Sequence, residues 1–462
     1  MRIDYDLTPP DLAAHTNALF ETSAHKLREL ERSWNPSRGA PVFTVGGLYT
    51  SRGWTEWTQG FQFGSGVLQF DATGEIEFLE AAREHTVNWM APHITHTGVH
   101  DHGFNNVSTY GSLLRLMDEG RTPENLWERR FYELALKCSG AVQAGRWSMI
   151  AGGGGYIPSF NGPHSLFVDT IRTLRALAIS HRLGHVLLSE NDLRISLLDR
   201  VIEHALATAR FSVYYGEGRD AYDVRGRVAH ESVFNANDGK YRCPNSQQGY
   251  SPFSTWTRGL AWAMCGFAEL LEFLDTVADE ELSSFGGRDA VSAIFQRAAE
   301  ATCDFYIDSA TAADGVPYWD TGAPDLEKLG DWRNRPAEPR NAFEPVDSSA
   351  AAIAAQGLLR LGHRMQDRKY WGAGLTICRT LFAEPYLSAD PKHQGLILHA
   401  IYHRPNGWDA APLTGLAPHG EACMWGDYHA RELALYLLRV IDNKPYLTFW
   451  SEPHDRRRPC GD

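Results

Sequence analysis

Residues 256–271 read WTRGLAWAMCGFAELL. Tryptophan, arginine and glycine come first, and an apolar run at three- and four-residue intervals follows, the pattern of a helix that is polar at its start and buried thereafter. Four other stretches share that plan: WTQGFQFGSGVL at 57–68, HDHGFNNVSTYGSLL at 100–114, VDSSAAAIAAQGLLRL at 346–361 and WGDYHARELALYLL at 425–438. They agree in pattern, not in identity. Helices that all open on aromatic and polar residues suit a toroid of inner and outer helices whose inner ends line one pit. The expected fold is all-α, an (α/α)6 barrel of six helical hairpins.

Apolar spacing places helices over 76–90, 107–119, 125–144, 165–183, 189–210, 258–275, 288–308, 347–364, 367–383 and 428–440. Strand signals are weak and short. No Ser/Gly-rich linker divides the chain; GGGG at 152–155 and the Pro- and charge-rich stretch 320–345 read as long loops, where function tends to gather. With 462 residues, 43% of them hydrophobic and 22% charged, there is enough apolar material for a large core. A single domain over 1–462 is expected.

The formal charge of -13 argues against nucleic acid as a partner, because phosphate binding needs a basic face. DRRRP at 455–459 reads as a solvated tail. A few converging arginines could still hold an anionic sugar. The N-terminus lacks the basic start and apolar core of a signal peptide, and no stretch is long enough to span a membrane, so a cytoplasmic protein is expected. Oligomeric state is not legible. Seven cysteines, at 138, 243, 265, 303, 378, 423 and 460, are scattered without a CxxC pair, which suits reduced thiols better than a disulfide frame or a zinc site.

Among residues that could carry chemistry, Asp101 comes first, in VHDHGFNN at 99–106. It can cap the following helix, or, with His93, His96, His100 and His102 crowding it, belong to a metal site, although HxxH followed by HDH matches no metal spacing. Asp169 stands in NGPHSLFVDTIRTLRAL at 161–177, with Phe167, Ile171, Leu174 and Ala178 as the buried stripe. It reads either as the partner of Arg172 in a surface ion pair or as an inward carboxylate one turn into its helix, whose raised pKa fits proton transfer. In the segment 229–267, Arg258 and Trp262 share a helix face with Trp256 near its entrance. Tryptophans at helical spacing usually pack a core, but fourteen in one chain, several beside Gly and Asp, favour a carbohydrate pit. An arginine fork binds a carboxylate at two points, and His230 and Gln248 add polar groups. Asp347, and Asp427 similarly, read best as helix caps.

These residues resemble the unsaturated glucuronyl hydrolases, family 88 of the glycoside hydrolases. The similar stretches are WTQGFQFG, HDHGF, the LFVD helix, HESVF, QQGY followed by STWTRGLAW, VPYWDTGAP, VDSSAAAIAAQGLL, GLILHAIYHRP and WGDY, in family order over most of 54–440. The resemblance implies an (α/α)6 barrel, no metal or organic cofactor, and attack on the Δ4,5-unsaturated uronic acid at the non-reducing end of lyase-made oligosaccharides. It implies Asp169 as general acid/base, Asp101 as the second carboxylate, and His230, Gln248, Arg258 and Trp262, with His100 and Trp256, as the substrate-contacting set. Departures from the family pattern fall beside the pit: Thr170, Ile171 and Arg172 after the aspartate, the loop 145–164, and His102.

Three other readings remain open at this point. One is hydrolysis of a saturated glycoside by paired carboxylates. A second is a sugar epimerase using His100, His102 and His230. The last is a sugar-binding protein without catalysis, disfavoured because two buried carboxylates are costly without a task.

Overall fold

The structure is a computed structural model that describes residues 1–53, 56–408 and 419–450. Fourteen α-helices occur among them. In chain order these are α1 (Ala13–Ser33), α2 (Gln59–Thr73), α3 (Ile76–Trp89), α4 (Ala91–Ile94), α5 (His102–Asn106), α6 (Ser112–Asp118), α7 (Leu126–Gly145), α8 (Thr170–Arg182), α9 (Leu197–Phe211), α10 (Thr257–Leu274), α11 (Arg288–Phe305), α12 (Ser348–Met365), α13 (Arg368–Leu381) and α14 (Met424–Ile441). A π turn, Val107–Gly111, joins α5 to α6.

Burial sorts these helices into two sets. Every residue of α10 is buried, as are Ser348–Gly362 of α12 and Met424–Leu437 of α14; a helix without a wet face must lie inside the molecule. α1, α3, α7 and α11 each bury one stripe only. The inner helices form a circuit: α8 packs on α10, α10 on α12, α12 on α14, α14 on α2, and α2 on α5 and the π turn, which return to α8. Outside them α3 packs on α2, α7 and α9 on α8, α11 on α10, α13 on α12 and α1 on α14. One contiguous apolar core draws residues from Leu12 to Trp450. No helix among the described residues is long and apolar enough to cross a membrane.

Among the helices outside the ten placed by apolar spacing, α2 carries the quoted stretch 57–68, whereas α1 is announced by no motif. α1 buries Thr16, Ser23 and Lys26 on its core face; the Lys26 ammonium donates to the Asp390 and His393 carbonyls, so the pattern is broken by polar residues with internal partners. α2 is notched by glycine. A Cβ at Gly60 would stand 2.4 Å from Asn105 Cα, and one at Gly64 2.5 Å from the Ser108 carbonyl, so α5 and the π turn seat against α2 where side chains are missing.

Two expected helices are shorter than their apolar runs. The run from 165 opens as a strand, Ser165–Phe167, and α9 starts at Leu197 rather than 189, after a 3-10 turn and a two-residue strand. Ser165–Phe167 pairs antiparallel with Glu231–Phe234, which pairs with Tyr241–Asn245; Phe167 faces Glu231, and Glu231 faces Asn245. Asp169 therefore follows a strand end and occupies the N-cap of α8, not a position one turn inside it. This small sheet delivers three parts of the site to one end: Asp169 just after the first strand, His230 just before the second, and Gln247 and Gln248 just after the third.

Candidate active site

The inner helix starts and their loops form a narrow pit lined by Trp57, His100, Asp101, Phe104, Phe160, Asp169, Gln247, Gln248, Trp256, Arg258, Trp262, Tyr402 and His403. Of the eight residues singled out from the sequence, seven are in this lining. His230 stands immediately behind it, its ring 4.7 Å from Trp256 and 4.4 Å from Phe167.

Asp101 occupies the N-cap of α5, yet its carboxylate accepts no amide of that helix. It faces His100 instead. His100 Nε2 lies 3.1 Å from Asp169 Oδ2 and 3.8 Å from Asp101 Oδ1, and the donor atoms of the three residues are within 4.8 Å of one another. All three are buried. Burial pulls the His100 imidazolium down, but the Asp101 and Asp169 carboxylates outweigh it and leave His100 above its ordinary value. Burial raises the Asp101 carboxyl, with His100 offsetting only part of the effect. At Asp169 burial acts the same way, but the charge and hydrogen bond of His100 prevail and hold the carboxyl below its ordinary range. Without substrate, the trio therefore holds its proton on His100 in preference to Asp169.

His230 has a defined tautomer. Its Nδ1 accepts from the amides of Gln247 (3.0 Å) and Gln248 (3.3 Å), so Nε2 carries the proton. Burial lowers its pKa to about 4, which keeps the ring neutral. His230 Nε2, Asp169 Oδ1 and Gln247 Oε1 are all buried without a hydrogen-bond partner in the protein. An unsatisfied buried polar atom costs about 1–3 kcal/mol, and three beside one pit are suited to a ligand rich in hydroxyls.

The Arg258 fork has internal partners. Nη1 donates to Asp347 Oδ2 at 2.7 Å and to the Ile401 carbonyl; Nη2 donates to Gln248 Oε1 at 3.0 Å and the Tyr402 carbonyl at 2.6 Å. Its carboxylate is thus Asp347, which also caps α12 through the Ser349 and Ala350 amides, the capping expected of it. Arg258 fixes the side chain of Gln248 and the backbone of Tyr402, both pit-lining. Its guanidinium stacks over Trp256 (4.7 Å) and Trp425 (5.0 Å). Trp262 packs on Phe104, ring centroids 4.8 Å apart, and Trp57 stacks on Trp425 at 5.1 Å.

Asp427 does not cap α14; Cys423 holds that position. Asp427 accepts from Tyr49 Oη (2.7 Å) and the Leu396 and Ile397 amides (2.8 and 2.9 Å), tying the loop before Tyr402 to the barrel. Arg172 makes no surface pair with Asp169: it is fully buried and joined to Glu269 (3.0 Å) and Glu432 (2.8 Å). The crowded histidines disperse as well. His93 bonds Gln59, and His102 bonds Ser139 and the His96 carbonyl, with burial lowering its pKa to about 3. Of the four, His100 is the one within 4 Å of the carboxylates, and among the described residues the His100, Asp101 and Asp169 trio is the group whose donor atoms could hold a cation.

Trp57, Phe104, Tyr402 and His403 were not singled out as site residues, although each lies in one of the quoted motifs. Phe160 and Arg146 come from the loop 145–164. Phe160 lies parallel to the His100 ring at 6.1 Å, and Arg146, pulled down to about 10 by burial, is close enough to Asp101 to act on its charge. Cys460 and the run 455–459 lie outside the described residues, as do 54–55 and 409–418 of the stretch that carried the resemblance.

Aromatic helix ends surround two carboxylates about one imidazole, and comparison with known proteins shows what the chain is similar to. No protein-family model matches the chain. It is 22% identical over 392 residues to an unsaturated glucuronyl hydrolase of Formosa agariphila, covering 82% of this chain and 78% of the relative. It is 24% identical over 406 residues to an unsaturated chondroitin disaccharide hydrolase of Streptococcus pyogenes, covering 85% and 83%. The crystal structure of the unsaturated glucuronyl hydrolase of Bacillus sp. GL1 superposes with a TM-score of 0.70 at 21% identity, covering 95% of this chain and 99% of that one. The chain is similar in sequence to the unsaturated glucuronyl hydrolases and has their fold.

Proposed function

We propose that the protein is a glycoside hydrolase that removes Δ4,5-unsaturated uronic acid from the non-reducing end of lyase-made oligosaccharides. The observation that carries this reading is the Asp101–His100–Asp169 cluster, two carboxylates about one imidazole, at the floor of a pit walled by Trp57, Trp256, Trp262 and Tyr402. The circuit of inner helices, each with an outer partner, supports reading the fold as an (α/α)6 barrel and 1–462 as one domain. The described cysteines are all free, which supports a reducing compartment such as the cytoplasm.

In this reading the unsaturated ring stacks on the aromatic wall, and Gln248 and the Nε2–H of His230 meet its oxygens. The substrate's own carboxylate adds negative charge beside the trio, which raises the carboxyl pKa values and moves a proton onto Asp169. Asp169 then protonates carbon 4 of the enol ether, its conjugate base takes a proton from water, and that water bonds to carbon 5. The resulting hemiketal opens and expels the remaining sugar with a new reducing end. Asp101 places substrate and, with His100, sets the charge at Asp169.

The carboxylate spacing bears on one alternative. The oxygens of Asp101 and Asp169 lie within 4.8 Å of each other around one imidazole, closer than the roughly 6.5–9.5 Å that leaves room for water in an inverting hydrolase but near the roughly 5–5.5 Å of a retaining one. Retaining hydrolysis of a saturated glycoside is therefore separated by the deuterium label below and not by distance. An epimerase built on His100, His102 and His230 loses His102, which faces Ser139 and His96. The relatives' names concern unsaturated uronides, glycosaminoglycan degradation and chondroitin disaccharides. Reaction in D2O tests the chemistry: the reading expects one deuterium at carbon 4 of the released uronate, seen by NMR. Cleavage without label at that carbon would overturn it.

A further inference from the structure

The loop that carries Gln247 and Gln248 does not end at the pit. It runs outward through Tyr250 to Phe253, and it is held at three points. His230 Nδ1 accepts the Gln247 and Gln248 amides. Asp320, fully buried, accepts the Tyr250 amide at 2.9 Å and the Gly322 amide at 2.8 Å. Arg227, also buried, donates through Nη1 to the carbonyls of Pro252 (3.2 Å) and Ser254 (3.4 Å) and through Nε to that of Tyr222 (2.8 Å). The Arg227 guanidinium lies 3.8 Å over the Tyr214 ring, which fixes it from below.

What this bracing presents is aromatic. Tyr222 and Phe253 stack with ring centroids 4.4 Å apart and planes 22° from parallel. They remain 48% and 44% exposed, and Tyr250 between them and the pit is 52% exposed. A chain must invest buried charge and several backbone hydrogen bonds to hold large rings in solvent, and a cluster of exposed rings marks a binding surface. Five residues from Gln248 bring the backbone to Phe253, a reach of at most about 18 Å. Phe253 also stands three residues before Trp256 of the pit lining, so the rings lie near the pit mouth on a backbone already hydrogen-bonded in place, which lowers the entropy cost of arranging them around a ligand.

We propose that Tyr222, Tyr250 and Phe253 form an outlying platform for the sugars beyond those held in the pit, so that the protein prefers longer oligosaccharides. This rests on the carbohydrate reading of the pit but not on the hydration chemistry. Pyranose C–H faces are the ligand chemistry that flat, half-exposed rings bordering a sugar pit fit.

The test uses the full chain with unsaturated di- and tetrasaccharides from chondroitin and heparin lyase digests. Phe253→Ala and the double variant Tyr222→Ala/Phe253→Ala should lower kcat/KM on the tetrasaccharide about tenfold, through KM, and leave the disaccharide within about twofold. Equal losses on both lengths, or no loss on either, would overturn the platform. A change in oligomeric state on size exclusion without a chain-length effect would also overturn it, and would assign the rings to contact between two copies. If the wild type turns over neither length, the hydration reading fails and calorimetry decides the platform separately. Wild-type binding of the tetrasaccharide that Phe253→Ala abolishes upholds it; no wild-type binding overturns it.

Discussion

His100 Nε2 lies 3.1 Å from Asp169 Oδ2, and the same nitrogen is 3.8 Å from Asp101 Oδ1, so one buried imidazole couples two buried carboxyls. Asp169 is the member with a buried, unpartnered oxygen. Asp169→Asn keeps the size of the side chain and removes the proton carrier; turnover of an unsaturated disaccharide should fall at least about a hundredfold. Circular dichroism and the thermal midpoint should stay close to wild type. Near-normal turnover would remove Asp169 from its role.

Asp101→Asn tests the coupling. In the fold the Asp101 carboxylate opposes the burial that pulls His100 down, and it is the first of the charges that leave His100 above its ordinary value. Neutralising it withdraws support for the imidazolium, so the His100 pKa must fall. A histidine ring titration by NMR should move to lower pH in the variant, and any basic limb of the kcat/KM profile that reports His100 should move with it. A titration that stays in place would contradict the coupling.

Much of this site was legible because its motifs sit at helix starts. HDHGF, STWTRGLAW and WGDY announced polar entrances to buried helices, and Asp101, Trp256, Arg258 and Trp262 follow from them. Other features were hidden because their explanation is tertiary. The strand Ser165–Phe167 is only three residues long and runs through Val168 towards an apolar helix, and only its pairing with Glu231–Phe234 separates the two. Arg258 is spaced like a ligand fork, but no local pattern announces that Asp347, 89 residues on, takes it. Arg172 looked like a surface partner for Asp169 because Glu269 and Glu432 are distant in sequence.

Gly103 sits where α5 meets α8: a Cβ there would stand 2.4 Å from Thr173 Cα and 2.8 Å from the Arg172 carbonyl. The contact is backbone, so the neighbour cannot turn aside. Gly103→Ala should destabilise the protein by about 1–3 kcal/mol, as overpacking does, and reduce activity further by shifting Asp101 relative to Asp169. Chemical denaturation and kinetics of the surviving folded protein measure both; an unaffected variant would contradict the close seating.

Asp347→Ala leaves the Arg258 guanidinium buried without its carboxylate and the first amides of α12 without their cap. Breaking a buried pair from one side costs about 3–5 kcal/mol, to be read from urea unfolding. A loss under about 1 kcal/mol, in the range of an exposed pair, would show that Asp347 does not hold Arg258.

Burial would raise the Glu421 carboxyl, but hydrogen bonds from His393 and the Gly47 amide hold it down at about 2. Gly46 N and Gly47 N each lie 3.0 Å from its oxygens. A carboxyl depressed in the fold stabilises above its unfolded pKa and loses that contribution as pH falls through the folded one. Glu421→Gln should therefore cost about 1–2 kcal/mol near neutrality, with the difference from wild type shrinking between about pH 4.5 and 2. A difference that stays constant across that interval would refute the assignment.

The most direct measurement of the central claim is the ultraviolet absorbance of the conjugated enol carboxylate in unsaturated disaccharides incubated with the purified protein. The absorbance should disappear as a new reducing end forms, and Asp169→Asn should abolish both. Retained absorbance across a panel of lyase products, with folded protein, would contradict it.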